Sequence, residues 1–129
     1  MNLLTRLETE SGEGIDADIV AFLHDAIAKR YPPTDDYGPK DRWQFWSEDE
    51  KHFLGNEAKW PIVPYTSSVD AALTLVGEGA LYRLTKNKNG LFTATIQCGE
   101  VGPNFIYEEA DAHTPQNAIC IVALKVMEQ

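Results

Sequence analysis

The side chains of this sequence that could do chemistry are few and lie far apart. His113 directly precedes Thr114 and Pro115, which together predict the start of a helix. The unpaired main-chain amides at such a start favour an anion, so a phosphate or carboxylate ligand could bind there, with His113 or a neighbour's Lys125 assisting. The alternative is that His113 only ends a loop. His24 is interpreted as an ordinary boundary residue on a predicted helix.

A third histidine, His52, follows the acidic residues Glu48, Asp49 and Glu50. Carboxylates and imidazole are common metal ligands, so the group is a candidate metal site. Adjacent positions on a helix do not converge on one point, however, and the sequence shows no second ligand group elsewhere. We therefore expect no metal site at these residues.

Two neighbouring serines, Ser67 and Ser68, are candidates for a nucleophile. A catalytic serine requires a nearby base that accepts its proton, and helix capping already explains both hydroxyls. The sequence also contains no nucleophile-elbow, phosphate-loop or dinucleotide-binding motif. It therefore predicts a protein that is not an enzyme and that uses no cofactor.

The two cysteines, Cys98 and Cys120, stand alone in apolar surroundings. We interpret them as buried free thiols, because their spacing fits neither a zinc site nor a disulfide framework. The N-terminal residues lack the apolar core of a signal peptide, and no segment approaches the about 20 apolar residues that span a bilayer. These features predict a cytoplasmic protein that does not contact membranes.

Acidic residues dominate the charge of the chain. Its 129 residues fit one domain, and its formal net charge is −9. Of the 20 acidic residues, 13 precede residue 61. Because a nucleic acid backbone needs basic surface, this balance argues against direct binding of duplex nucleic acid. It suits a basic protein partner, or it only keeps the protein soluble.

Two helices are predicted in the first quarter of the chain. Leu3, Leu4 and Leu7 form a short helical stripe, which the glycine-rich residues 11–14 end. A second helix is predicted from residue 15 to about Tyr31, where two prolines follow. Its apolar positions recur at three- and four-residue spacing: Ile15, Ile19, Phe22, Leu23, Ala26 and Ile27.

The segment 31–64 is rich in aromatic residues and shows no sustained period. We expect a variable insertion within a single domain spanning residues 1–129. It should contain one short helix at 47–54, with Ser47 as the N-cap. Trp43, Trp46 and Trp60 could cover a sheet as a second apolar layer. Alternatively, they could be exposed anchors for a protein partner or stacking platforms for a nucleobase.

The second half of the chain predicts a short helix capped by Ser67 and then a sheet. Apolar and polar residues alternate from 92 to 98, which suits a sheet with one buried face. Asn89 followed by Gly90 predicts a tight turn between the first two strands. The strands are expected at about 80–85, 91–98 and 104–109.

The last predicted element is a helix that begins at Thr114. Its residues 118–124 are all apolar, an apolar stripe too wide for a helix that packs on one sheet face only. The additional face is expected to meet either the N-terminal helices or another subunit.

Two motif stretches carry a family likeness: Y-T-S-S-V-D-A-A-L-T-L-V-G-E-G at 65–79 and T-P-Q-N-A-I-C-I-V-A-L-K at 114–125. With these stretches, the chain from Leu3 onward resembles the phage ABA sandwich domain proteins, which are small products of bacteriophages and prophages. The resemblance implies an α+β fold in which N-terminal helices, a three-stranded antiparallel sheet and a C-terminal helix pack as an α/β/α sandwich. It also implies a phage origin, but it implies no activity.

Two functions of different classes are therefore expected. The first is a non-catalytic phage accessory protein that inhibits a host bacterial protein, such as an anti-phage defence component, through its acidic surface and Trp43, Trp46 and Trp60. The second is a homo-oligomer, assembled through the C-terminal helix, that sequesters a small nucleotide. The nucleotide would be bound around the sheet edge and the last helix start by Tyr65, Thr66, Arg83, His113 and Thr114.

Overall fold

The computed structural model describes residues 2–32, 42–99, 102 and 105–128. The chain forms two compact units, one made of Met1–Gly12 together with Pro64–Gln129 and the other made of Glu13–Val63. We call them unit 1 and unit 2. The elements within the described residues are α1 (Leu3–Arg6), α2 (Glu13–Leu23), β1 (Ala26–Tyr31), β2 (Arg42–Ser47), β3 (Phe53–Asn56), α3 (Val69–Leu73), β4 (Leu81–Lys86), β5 (Phe92–Cys98), β6 (Ile106–Ala112) and α4 (Pro115–Met127).

The sheet of unit 1 is antiparallel, with the order β4-β5-β6. The turn between β4 and β5 closes where Asn87 donates its N–H to the carbonyl of Leu91 over 2.8 Å. Gly90 donates to the carbonyl of Asn87 over 3.2 Å and has a φ of 80°, a value that a glycine adopts without strain. The turn predicted at Asn89 and Gly90 is thereby confirmed.

One face of this sheet is buried against α4, and the other is exposed. Ala94 and Ile96 of β5 point to the buried face. Gln97 of β5, with its cross-strand neighbours Leu81 and Tyr107, is exposed on the opposite face. The alternation of apolar and polar residues along β5 therefore predicted the two faces correctly.

Helix α4 begins where the sequence predicts. The Thr114 hydroxyl accepts a hydrogen bond from the Asn117 N–H over 3.1 Å, and Pro115 occupies the first turn. Residues 117–124 are all buried, because α4 packs on β5 and β6 and also on α1 and α3. The two short helices thus supply the additional contact that this uniformly apolar helix requires.

The N-terminal segment is joined to α4 by the buried amide of Asn117, which is 1% exposed. The amide nitrogen donates to the carbonyl of Leu7 over 2.7 Å and to that of Glu10 over 2.6 Å. Its oxygen accepts from the Ser11 hydroxyl over 3.4 Å. The bond to Leu7 is buried and the bond to Glu10 is partly buried, so one side chain gives a partner to two main-chain carbonyls of the N-terminal segment.

Unit 2 packs helix α2 against the antiparallel sheet β1-β2-β3. Phe45 and Trp43 of β2 point to the covered face and are buried. The indole N–H of Trp43 donates to the Glu13 carboxylate over 2.6 Å, which fixes the first turn of α2 to the sheet. Bulky residues two positions apart on β2 and the buried residues of α2 therefore form the core of this unit.

The predicted second helix is too long. It ends at Leu23, and Ala26–Tyr31 forms β1, in which Ala26 pairs with Ser47 and Tyr31 with Arg42. Asp25 adopts a φ of 52° and thereby reverses the chain between the helix and the strand. Ala26 and Ile27 fit the helical spacing of residues 15–23, but they lie in the strand that pairs with β2. Strand pairing therefore determined the structure of this segment, and its local apolar pattern did not.

The helix predicted at 47–54 is also wrong. Residues 48–52 instead form the turn between β2 and β3. The Ser47 hydroxyl accepts from the His52 N–H over 3.0 Å, a contact that stabilises the turn rather than a helix start. A serine followed by acidic residues is compatible with either structure, since its oxygen can bond to nearby amides in both.

The observed start of α3 and the observed bounds of β6 differ from the prediction by one or a few residues. The N-cap of α3 is Ser68, whose hydroxyl accepts from the Ala71 N–H over 3.2 Å, and not Ser67. The third strand of unit 1 runs over Ile106–Ala112, whereas the prediction was 104–109. Asn104, where that prediction began, lies outside the described residues, as do positions 33–41 of the predicted insertion.

The predicted α+β class is confirmed, with helices near both ends of the chain. The described residues form two three-stranded antiparallel sheets, where the sequence predicted one. The additional sheet is built from residues that were assigned to a helix and to an irregular insertion. Within the described ranges, no helix is both long enough and apolar enough to span a membrane.

Replacing Asn117 with alanine should lower the free energy of unfolding by about 2–4 kcal/mol, because the carbonyls of Leu7 and Glu10 lose a buried donor. Urea unfolding followed by far-ultraviolet circular dichroism measures this change. Ser11→Ala is the matched control, since it removes only a long hydroxyl contact and should cost less than about 0.5 kcal/mol. Equal losses in the two variants would contradict the role of Asn117.

Candidate functional site

An aromatic pair, half-buried Trp46 and exposed Phe53, lies on the unit 2 sheet, on the face opposite Phe45. The register places Ile27 opposite Trp46 and Trp46 opposite Phe53, so the three side chains share this face. The rings of Trp46 and Phe53 meet edge to face, with centroids 5.6 Å apart and planes at 72°. Phe53 is 52% exposed. We call Ile27, Lys29, Trp46 and Phe53 the Trp46 face.

Polar contacts hold the indole of Trp46 in place. The Lys29 ammonium lies 5.0 Å from the centroid of the ring and 3.1 Å from a carboxylate oxygen of Glu50. The indole N–H donates to the side-chain oxygen of Gln44 over 3.3 Å. The Lys29–Glu50 pair is solvent-accessible and the Gln44 bond is partly buried. Each contact contributes about 1 kcal/mol or less, so the ring is oriented without being locked.

The turn that follows Trp46 carries three consecutive acidic residues at positions 48–50, which we call the acidic turn. The Ser47 hydroxyl donates to the Asp49 carboxylate, and the Lys51 N–H donates to the same oxygen over 3.0 Å. These hydrogen bonds, the one from Ser47 first, hold the pKa of Asp49 below its usual value. Asp49 is therefore ionised at neutral pH, next to an exposed aromatic surface.

The three predicted tryptophans occupy different environments. Trp43 is only 6% exposed and bonds to Glu13, so it belongs to the core of unit 2. Trp60 is partly exposed and stacks on His24 at 4.2 Å between ring centroids, with the planes 11° apart. Of the three, Trp46 is the one whose ring contacts exposed Phe53. A partner would therefore contact Trp46 before it could reach Trp43.

Tyr65 and Thr66 are both buried and serve the fold of unit 1. The Thr66 hydroxyl accepts a hydrogen bond from the Gly12 N–H over 2.9 Å. The carbonyl of Tyr65 accepts from the thiol of Cys120, which is itself buried, over 3.6 Å. The structure thus places these two residues at the junction of chain segments, where a ligand has no access to them.

The remaining predicted residues do not converge. Arg83 lies in the middle of β4 on the exposed face, whereas His113 lies just beyond β6, two strands away. The N–H of His113 donates to the carbonyl of Glu8 over 3.3 Å, and the Thr114 hydroxyl caps α4. Arg83 and His113 are therefore not positioned to hold one ligand together.

Unit 1 also contains an apolar cleft of about 250 Å³ beside the ends of α3 and α4. Leu75, Ile96 and Met127 are among the residues that line it, and Cys98 contributes its partly exposed side chain. Of the described residues around this cleft, only Glu78 carries a charge. A nucleotide phosphate would meet a carboxylate and no cation there, so the cleft does not suit that ligand.

His52 is exposed in the turn between β2 and β3. Within the part of the chain that the structure describes, no three His, Cys, Asp or Glu side chains form a group that could hold a metal ion. The Glu50 carboxylate is instead engaged with Lys29.

No family model matches this chain, and no curated protein or solved structure is significantly similar to it. The candidate site is therefore defined by the geometry of the Trp46 face and the acidic turn.

Sequence reasoning found Trp46 but missed its neighbours Ile27, Lys29 and Phe53. Ile27 and Lys29 were assigned to the helix that in fact ends at Leu23, and Phe53 to a helix that is absent. The signal that could have found them is the period of two in R-W-Q-F-W-S at 42–47. A strand there places positions 43 and 45 on one face and position 46 on the other.

Trp43→Ala should lower the free energy of unfolding by about 3–5 kcal/mol, because it empties a buried site. Phe53→Ala, which truncates a half-exposed ring, should cost about 1 kcal/mol or less. Urea unfolding followed by near-ultraviolet circular dichroism compares the two variants. If both lost the same stability, the division between a core tryptophan and an exposed aromatic face would be wrong.

Proposed function

We propose that this protein is a non-catalytic bacteriophage accessory protein that binds and inhibits a host bacterial protein in the host cytoplasm, such as an anti-phage defence component. The observation that carries the proposal is the Trp46 face, a partly exposed aromatic surface bordered by the acidic turn. The phage origin is supported by the resemblance of residues 65–79 and 114–125 to the phage ABA sandwich proteins.

Exposed aromatic side chains on a rigid sheet are suited to protein recognition. Phe53 and Trp46 leave apolar surface in contact with water, and covering it with a partner is favourable. Tryptophan is also enriched among the residues that contribute most to binding energy at interfaces. Because β2 and β3 hold the main chain at Trp46 and Phe53, little main-chain entropy would be lost on binding.

The charges around the Trp46 face indicate the chemistry of the partner. The acidic turn adds three carboxylates next to the rings, and the chain as a whole carries a net charge of −9. Such a surface attracts basic proteins and repels acidic ones, and it raises the rate of encounter at low ionic strength. The expected partner therefore presents an apolar patch that is bordered by Lys or Arg side chains.

Inhibition by contact fits the side chains that are present. The Trp46 face offers two aromatic rings, one aliphatic side chain and a lysine that is paired with Glu50. This combination supplies contact area and charge, and it does not resemble a nucleophile with an adjacent base. Blocking a functional surface of the host protein would require no chemistry from this chain.

The alternative, an oligomer that sequesters a nucleotide, gains no specific support from the geometry. Its expected residues Tyr65 and Thr66 are buried, and Lys125 donates from its ammonium group to the carbonyl of Glu109 over 3.0 Å. Residues 117–124 of the C-terminal helix are already buried within one chain, which leaves little of its apolar surface for a second subunit.

Phe53→Ser should abolish capture of the host protein from a bacterial lysate and restore that protein's activity when the two are mixed. Met127→Ser is the matched control, because Met127 is similarly exposed but belongs to unit 1. We expect the control to capture and inhibit as the unaltered chain does. The measurement is affinity capture followed by an activity assay of the identified protein.

A partner that both variants retain equally would show that the Trp46 face is not the binding surface. A partner that is captured through Phe53 but keeps full activity would support binding and contradict inhibition.

A further inference from the structure

The unit 1 sheet has two edges, β4 and β6, and the hydrogen-bonding pattern shows which main-chain groups point outward. Asn87 donates to the carbonyl of Leu91, so this pair is hydrogen-bonded, and the β4–β5 register continues from it without a shift. In an antiparallel pair, hydrogen-bonded and non-hydrogen-bonded positions alternate. The N–H and C=O groups of Tyr82, Leu84 and Lys86 therefore point away from β5, toward the open side of the sheet.

The edge formed by β6 is partly closed by groups of unit 1. By the same alternation, Glu109 directs its carbonyl outward, and that carbonyl accepts a hydrogen bond from the Lys125 ammonium over 3.0 Å. Just beyond the strand, the N–H of His113 donates to the carbonyl of Glu8 over 3.3 Å. A further strand could pair with β6 only by displacing these contacts.

The edge formed by β4 has no such cover in the part of the chain that the structure describes. No main-chain or side-chain group outside the sheet bonds there to the main chain of Tyr82, Leu84 or Lys86. The strand begins with Leu81, which is 66% exposed. An unpaired edge of six residues is a template for an additional strand, and the occupant with matching groups is an extended polypeptide.

The charge at this edge selects the kind of polypeptide. Arg83, Lys86 and Lys88 lie on β4 and its turn, and residues 80–98 contain no acidic residue, although the chain has a net charge of −9. An acidic segment would thus be attracted to this edge. A second copy of β4, which would bring like charges together, would be disfavoured.

We propose that the free edge of β4 binds an extended acidic segment of a partner protein as a fourth strand of the unit 1 sheet. The main-chain groups of Tyr82, Leu84 and Lys86 pair with the segment, and the side chains of Arg83, Lys86 and Lys88 attract its carboxylates. An open cleft of about 310 Å³ on the adjacent face accepts one apolar side chain, between residues that include Leu81, Thr95, Gln97 and Tyr107.

This surface differs from the one proposed for host inhibition in its unit, its charge and its mode of contact. The Trp46 face is aromatic, is bordered by the acidic turn and binds with side chains, whereas the β4 edge is basic and binds with the main chain. Peptide binding at β4 would accordingly be unaffected by Phe53→Ser.

The test uses the full chain and a synthetic acidic peptide of about eight residues, close to the length of an ordinary strand, in which valine and glutamate alternate. Titration with detection by fluorescence anisotropy measures its Kd. A second peptide carries methyl groups on alternate main-chain nitrogens, which keeps the charge but removes the donors. We expect the methylated peptide to bind at least about tenfold more weakly, since more than one hydrogen bond is lost.

Tyr82→Pro removes the outward N–H and leaves the bonds to β5 in place, because that N–H does not take part in them. It should weaken peptide binding by about fivefold or more, whereas the control Tyr82→Ala should stay within about twofold. A second pair of variants does not depend on proline: Lys86→Glu with Lys88→Glu should abolish binding, and Lys51→Glu in unit 2 should not.

Equal binding of the methylated and unmethylated peptides would overturn the proposal, because it would show attraction by charge alone. Equal Kd values for Tyr82→Pro and Tyr82→Ala would also overturn the proposal, because they would show that the outward N–H of residue 82 does not bind the peptide. A dimer that is lost on Tyr82→Pro, detected by sedimentation, would show that a second copy occupies the edge and would also overturn it.

Discussion

The buried amide of Asn117 is the interaction on which unit 1 depends. This unit is assembled from two segments of the chain, Met1–Gly12 and Pro64–Gln129, which the 51 residues Glu13–Val63 separate in sequence. Asn117 bonds to main-chain carbonyls of the first segment from a buried helix position, and Thr66 accepts from Gly12 at the end of that segment. Breaking the amide contacts would leave the carbonyl of buried Leu7 unpaired, and the resulting penalty is a substantial fraction of the ordinary stability of a small unit.

The fixed N-terminal segment covers part of one edge of the unit 1 sheet. Its Glu8 carbonyl closes the end of the β6 edge, and Lys125 of α4 covers the Glu109 carbonyl on the same edge. The β4 edge has no equivalent cover among the described residues. In unit 2, α2 covers the face of the sheet that carries Trp43 and Phe45, and the Trp46 face is exposed. Each unit thus shields one surface of its sheet and exposes another, and the exposed surfaces differ in charge.

The sequence predicted the structure correctly where a residue pattern is compatible with only one local structure. Thr114 followed by Pro115 begins a helix, and Gly90 allows the φ of 80° that the β4–β5 turn requires. The sequence did not predict the structure where one residue pattern is compatible with two local structures. The spacing of residues 15–27 fits a helix throughout, and Asp25, which ends the helical path with a positive φ, is not the glycine that usually signals this change. Trp43 and Trp46 are alike in sequence, and only the pairing of β2 with β1 and β3 shows that Trp43 is buried and that Trp46 lies half-buried on the opposite face.

The central claim is that this chain acts by binding a protein through the Trp46 face. The most direct test is to replace Phe53 with the photoreactive residue benzoylphenylalanine and to irradiate bacterial cells that contain the protein. If the chain binds a host protein through the Trp46 face, position 53 gives a single cross-linked host protein that is absent when the same residue is placed at position 127. No protein adduct at position 53, or the same adducts from both positions, would contradict it.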